Sequence, residues 1–265
     1  MTRRSAALEY CRSMRELQYV KARRLAWRDV AEPSLLFPTD VIVRPFVAAR
    51  CDGDPLFLQH DAGRVLTLGA KLHLCDEAFE SSQSNPFVGP FAYGHECVAE
   101  VTACGSAVQQ FTRGDRVIVP WAISCGNCAM CTAGLTSKCS VTRGDGALAA
   151  YGFGAAFGKH GGMVSDAVRV PFADAMLVRV PFGVDPLAVA SASDNLTDAY
   201  RTVAPYLLRS PEAPVLIVGG AAKSVGRDHM LHIEKFGRFA IPTGARISAL
   251  ALGFQAIACG DGQGI

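Results

Sequence analysis

Short apolar runs, punctuated by glycine and proline, dominate the first two thirds of the chain. Asp40–Val47 (DVIVRPFV), Cys97–Ala103 (CVAEVTA), Arg116–Pro120 (RVIVP) and Met176–Val180 (MLVRV) read as strands. They are separated by turn-forming tripeptides, VGP at 88–90, RGD at 113–115 and VPF at 170–172. Many short strands with such punctuation predict a β-rich unit around a small barrel-like core. The pattern changes near residue 185. Pro186–Ala204 predicts a helix with Leu187, Val189, Ala190, Leu196, Ala199 and Tyr200 facing inward, and Pro205 is its expected stop. Pro214–Val218 (PVLIV) is wholly apolar and runs straight into glycines, as the buried parallel strand of a strand–turn–helix unit does. The expected organisation is an N-terminal extension over 1–13, a β-rich domain over 14–190 and a second unit over 191–265.

Composition narrows the function classes. Of 265 residues, 50% are hydrophobic and 19% charged, with a formal net charge of +2, the profile of a soluble globular protein and not of a disordered one. The 26 Lys and Arg nearly balance 24 Asp and Glu, which argues against a basic nucleic-acid binder. The longest apolar stretch, Ile247–Cys259, is shorter than the roughly 20 residues a membrane span needs. The N-terminus is basic without a continuous apolar core, so no secretory signal is read and a cytoplasmic location is expected.

Ten cysteines are many for such a chain, and four lie close together. Cys125, Cys128, Cys131 and Cys139 follow C-x2-C-x2-C-x7-C. Tight spacing without a signal sequence points to metal rather than to a disulfide framework. Four thiolates suit the tetrahedral preference of zinc and leave it no open position, so the site is expected to be structural. An iron–sulfur cluster fits less well, because its fourth cysteine typically follows after three residues and precedes proline, whereas here Ser140 follows. A nucleic-acid zinc finger has only Lys138 and Arg143 to recommend it, and four free thiols in a loop is the remaining alternative.

Three other segments hold metal-ligating types: RPFVAARCDGD with Cys51 and Asp54, FAYGHECVAE with Gly94, His95 and Glu96, and ASASDNLTDAYR with Asp194. Singly, each has a plain reading. Cys51 is a buried thiol, His95 a structural histidine, and Asp194 a cap on the helical run behind it. In this order around the four-cysteine lobe, together with GDRVIVP at 114–120 and GGMVSDAVRVP at 161–171, they resemble the zinc-dependent medium-chain alcohol dehydrogenases over Met14–Gly226. The resemblance implies an α+β/α/β fold: a GroES-like β-rich catalytic domain followed by a Rossmann-type domain. It implies a catalytic zinc on Cys51, His95 and Asp194, an aspartate in that last place looking familiar from the formaldehyde-dehydrogenase-like branch. Glu96 would approach the metal when its fourth position empties, and Asp54 would hold the His95 ring. Zinc would polarise a substrate oxygen for hydride transfer to NAD or NADP. The implied partner is a small alcohol or aldehyde, with a homo-oligomer left open. The family's Ser or Thr two residues after the first cysteine, which relays the alcohol proton, is here Gly53. Trp121 is a candidate wall of the substrate pocket.

APVLIVGGAAKSVG supplies Gly219, Gly220 and Gly226 for a pyrophosphate turn, though its spacing departs from G-x-G-x-x-G. From residue 227 the tail diverges. No Asp or Glu lies between Lys235 and Gly260 to bind a ribose, and His229 and His232 read as surface positions. The cofactor domain is therefore expected to be incomplete, as a frameshift or truncation would leave it. Two functions follow: a zinc-dependent alcohol or aldehyde dehydrogenase, or a zinc-binding remnant of that family without turnover.

Overall fold

The computed structural model describes residues 13–51, 54, 58, 68–69, 71–72, 87–143 and 148–209. Two antiparallel sheets organise them. The larger has the order β7-β3-β5-β6-β8, with β3 at Val41–Ala49, β5 at Glu96–Cys104, β6 at Arg116–Val119, β7 at Val168–Val170 and β8 at Val178–Arg179. The smaller has the order β2-β1-β4, with β1 at Ser13–Lys21, β2 at Arg24–Ala31 and β4 at Phe91–Ala92.

The large sheet is apolar on both faces because both are covered. Strand residues alternate between faces. Along β5, Cys97, Ala99 and Val101 join the main core with Val41, Val43, Val117 and Val119. Val98 points the other way, into a second cluster with Ile118 and Val180. Pro45 sits in β3 beyond the β7 pairing, which covers Val41–Val43, and at a register shift against β5. A proline removes a ladder donor, so this unpaired, bulged stretch is where it is tolerated. β6 stops at Val119 because Pro120 offers no N–H.

The four expected strands are present within a residue or two, except the last. Met176 ends a short helix, α2 (Ala173–Met176), and only Val178–Arg179 pairs as a strand. The hairpin β1–β2 was not among the expected strands, and its first residue, Ser13, falls in the segment taken as an extension. Its pattern hides it. The buried side of β1 includes the carboxylate of Glu16, and β2 is largely exposed and carries Arg24, Arg28 and Asp29. Charged edge strands suppress pairing with other chains, and they also erase the apolar alternation.

The helix expected over Pro186–Ala204 is two elements. A 3₁₀ turn covers Pro186–Val189, and helix α3 covers Asn195–Leu207. Leu187 and Tyr200, expected inside, are exposed, whereas Ala204 and Leu207 are buried. Asp185 starts the first element by accepting the Leu187 N–H at 2.9 Å. Pro205 does not stop α3. The Leu208 N–H still reaches the Ala204 carbonyl at 2.9 Å, so the proline removes one bond from a last turn that is otherwise kept. Among the described residues no helix is long and apolar enough to cross a membrane. The strand expected at Pro214–Val218, Gly219, Gly220, Gly226, His229, His232 and the divergent tail lie outside the described residues, as does Gly53.

One ion pair fastens the loop before β3 to β7. Asp40 is fully buried, and its Oδ2 accepts from the N–H groups of Leu36 and Phe37 and from Arg169 Nη1, each at 3.0 Å. Removing one partner of such a pair strands the other and frees two backbone donors. Asp40→Ala is expected to cost about 3 kcal/mol, read as a lower urea midpoint with an unchanged slope. An unchanged midpoint would show that the pair contributes nothing.

Candidate metal centre

The cysteine lobe folds on itself. The turn at Gly126 (φ 77°) leads into α1 (Ala129–Thr132), with Cys128 as its N-cap and Cys131 inside it, and Cys139 returns after a 3₁₀ turn at Thr136–Lys138. The four Sγ atoms lie within 4.8 Å of one another. Cys128 Sγ is 3.8 Å from Cys139 Sγ, and the Cys125 N–H points at Cys139 Sγ at 3.4 Å. All described cysteines are free of disulfides. Backbone N–H of Cys131, then Ser140, draws the Cys128 thiol down to about 5. Burial would raise Cys139, but donors from Thr142 and Cys125 bring it to about 7. Burial, and then the neighbouring Cys128, pushes Cys131 up to about 11. The lobe thus favours thiolates where backbone donors converge, the form a metal requires. It packs on Phe172, and a side chain at Gly126 would meet Ala175 Cβ at 2.5 Å.

The second cluster draws on distant parts of the chain. Cys51 follows β3, and Asp54 lies in helical backbone just after it. Gly94 (φ 89°) turns the chain into β5, and its carbonyl accepts the Met163 N–H at 2.8 Å. A Cβ there would stand 2.7 Å from Val164 Cγ2, so only glycine lets these segments cross so closely. The crossing places His95 and Glu96 in the interior, at 1% and 0% exposure.

One donor atom each from Cys51, His95 and Glu96 lies within 4.8 Å of the others. Asp194 Oδ2 approaches His95 Nε2 at 3.3 Å, and Asp54 Oδ1 approaches Nδ1 at 3.5 Å. Neither ring nitrogen has a hydrogen bond of good geometry, nor does Asp54 Oδ1. Asp194 does stand at the N-cap of α3, yet its side chain makes no capping bond there. The Asn195 N–H instead donates to Glu96 Oε1 at 3.2 Å. All five residues expected at this centre, Cys51, Asp54, His95, Glu96 and Asp194, are therefore brought to one place.

Three further residues were not foreseen. Asn195 Nδ2 donates to both Glu96 oxygens at 3.2 Å, and Cys51 Sγ lies 3.6 Å from Asn195 Oδ1. Tyr93 hydrogen-bonds Asp54. Phe153 packs on the His95 ring with centroids 4.6 Å apart, and Trp121, the expected pocket wall, meets both rings edge-on at 6.2 and 5.5 Å. The nearest signal for Asn195 was its place beside Asp194. Phe153, Tyr93 and the half-buried Asn195 carry no motif of their own.

The electrostatics follow from crowding acidic groups around one imidazole in a water-poor interior. Burial by itself would lower His95, but Asp194, Cys51 and Asp54 outweigh it and raise the ring to about 10. Burial raises Glu96 to about 7 against the Asn195 donors, and burial raises Asp54 against the pull of His95. The cluster asks for positive charge. A thiol, an imidazole and carboxylates with orphaned buried nitrogens form a donor set that fits zinc.

The alcohol dehydrogenase GroES-like domain matches residues 38–181. The chain belongs to the zinc-dependent medium-chain alcohol dehydrogenase family. It is 28% identical over 169 residues to the uncharacterized zinc-type alcohol dehydrogenase-like protein AdhB of Bacillus subtilis, a match covering 63% of this chain and 39% of that one. It is 40% identical over 109 residues to the glutathione-independent formaldehyde dehydrogenase of the same organism, covering 41% and 26%. Among solved structures, alcohol dehydrogenase TADH from Thermus sp. ATN1 superposes with a TM-score of 0.61 at 25% identity, covering 90% of this chain and 61% of that one. The chain thus spans less than two thirds of the length of each of these family members.

The charge balance around His95 predicts a pH effect in chelator-treated protein. A folded-state value of about 10 against an ordinary 6.5 means that the stability His95 contributes is fully present below about 6.5 and is lost as pH rises through about 10. The gap in urea midpoint between the chelated protein and its His95→Gln variant should shrink across that window. A constant or widening gap would contradict it.

Proposed function

We propose that this chain carries the catalytic half of a zinc-dependent alcohol or aldehyde dehydrogenase, with a closed four-thiolate zinc on Cys125, Cys128, Cys131 and Cys139 and a reachable zinc on Cys51, His95 and Asp194. The observation that carries the reading is the convergence of Cys51, His95, Glu96 and Asp194 around ring nitrogens that are buried and unsatisfied. A zinc bound there supplies a Lewis acid that polarises a substrate oxygen for hydride exchange with NAD or NADP.

The remaining roles belong to the protein's own groups. Asp54 faces His95 Nδ1, fixing the proton on that nitrogen and leaving the Nε2 lone pair for the metal. Tyr93 in turn holds Asp54. Phe153 and Trp121 pack around the imidazole and keep water from it. Cys51 contributes a soft donor, and Glu96 stands by on its Asn195 bonds. Residues 14–190 form the zinc-binding domain in this reading, and 191–265 belong to a Rossmann-type unit, with Gly219, Gly220 and Gly226 at its phosphate turn. The site acts on a small alcohol or aldehyde from a cytoplasmic pool, and no contact with nucleic acid is needed.

The second reading, a zinc-binding remnant without turnover, is favoured by the spacing of the 219–226 glycines and by the missing ribose-binding acid downstream. Elemental analysis of reduced protein should find two zinc ions per chain, one lost in Cys51→Ser and the other in Cys128→Ser. Cys128→Ser should also cost the larger share of thermal stability, since a closed thiolate site contributes folding energy directly. Millimolar NAD or NADP should raise the melting temperature, and a primary alcohol should then generate NADH or NADPH. Two zincs with neither a thermal shift nor turnover would establish the remnant, and no zinc at all would end both readings.

A further inference from the structure

The start of α3 reaches into the metal centre through a residue that no family motif marks. Asn195 presents three polar atoms to it. Its backbone N–H donates to Glu96 Oε1 and its Nδ2 to both Oε1 and Oε2, all at 3.2 Å. Its Oδ1 faces Cys51 Sγ at 3.6 Å. Glu96 is fully buried, so these are donors that water cannot replace. A carboxylate that already accepts at both oxygens is a poorer and less mobile metal ligand than a free one.

We infer that Asn195 is a positioning residue that clamps the Glu96 carboxylate on the helix side of the cluster, and so keeps the metal's fourth position open to an external oxygen donor instead of to Glu96. The inference rests on the proposed zinc at Cys51, His95 and Asp194. Of the three bonds, only the backbone one survives loss of the side chain. Without Nδ2, Glu96 Oε2 has no donor from Asn195, and one oxygen of the Glu96 carboxylate is already within 4.8 Å of the donor atoms of Cys51 and His95. Exchanging the amide for a carboxylate has the same sense and adds repulsion, because Asn195→Asp would set a second acceptor against both Glu96 oxygens.

The test uses the full chain loaded with cobalt(II), whose visible bands report the ligand set. Subtracting the spectrum of Cys51→Ser removes the contribution of the four-thiolate lobe. Imidazole, a small external ligand for an open position, is then titrated into the parent, Asn195→Ala and Asn195→Asp. The parent difference spectrum should shift with imidazole. Both variants should need at least about tenfold more imidazole for the same shift, the scale on which partners of ligating residues act, and should release zinc to a chelator more slowly. A purely structural role for Asn195 would leave the imidazole titration unmoved while lowering the melting temperature. Identical titrations in parent and variants, with the cobalt bands intact, would overturn the clamp and leave the metal site standing. Absence of any Cys51-dependent band in the parent would overturn the metal site, and the clamp with it.

Discussion

The imidazole of His95, shut away from water between Asp54 and Asp194, is the constraint on which the rest of the molecule depends. Its two nitrogens and the facing Asp54 oxygen are buried without well-formed hydrogen bonds. Each such group costs about 1–3 kcal/mol against solvation. A thiol, an imidazole and three carboxyl groups converge here with few neutralising partners, so the arrangement makes sense as a receptacle for a cation. The surrounding structure is consistent with that demand. The left-handed turn at Gly94 aims His95 inward, the crossing at Met163 and Val164 fixes that turn, and Phe153 backs the ring.

The two cysteine-containing centres solve the same problem at different ranges. The lobe closes within fifteen residues, so its donors find one another through local turns and a single short helix. The His95 centre joins residues 51 and 54 to 95 and 96 and then to 194 and 195. It exists only if β3 and β5 pair in register, because a slip of one residue would exchange the faces of Cys97 and Val98. Damage to the lobe's turns is thus a local event, whereas damage to the β3–β5 pairing dismantles the other cluster before any of its side chains is changed.

This difference explains what could be read from the sequence. The lobe was legible because its chemistry is a spacing. Cys51, Asp54, His95, Glu96 and Asp194 were legible only as an ordered set, through family resemblance; each alone has a plain structural meaning. Asp194 even keeps that meaning in part, since it does stand at the N-cap of α3 while its carboxylate turns to His95. Asn195 and Phe153 were invisible because their roles are contacts across the fold, with 99 residues separating Asn195 from Glu96. The β1–β2 hairpin escaped because charged edge residues interrupt the alternation that marks a strand, and the 186–204 helix was overextended because a 3₁₀ turn and an α-helix share the same apolar composition over so short a length.

The candidate metal centre also crosses the limit of the matched domain. The matched region ends at residue 181, and the expected domain boundary lies at 190, yet Asp194 and Asn195 supply a contact to His95 and three hydrogen bonds to Glu96. Asp194 is the N-cap and Asn195 the first residue of α3, whose far end holds Ala204 and Leu207 buried. The geometry at His95 and Glu96 is therefore set jointly by the β-rich unit and by the start of α3.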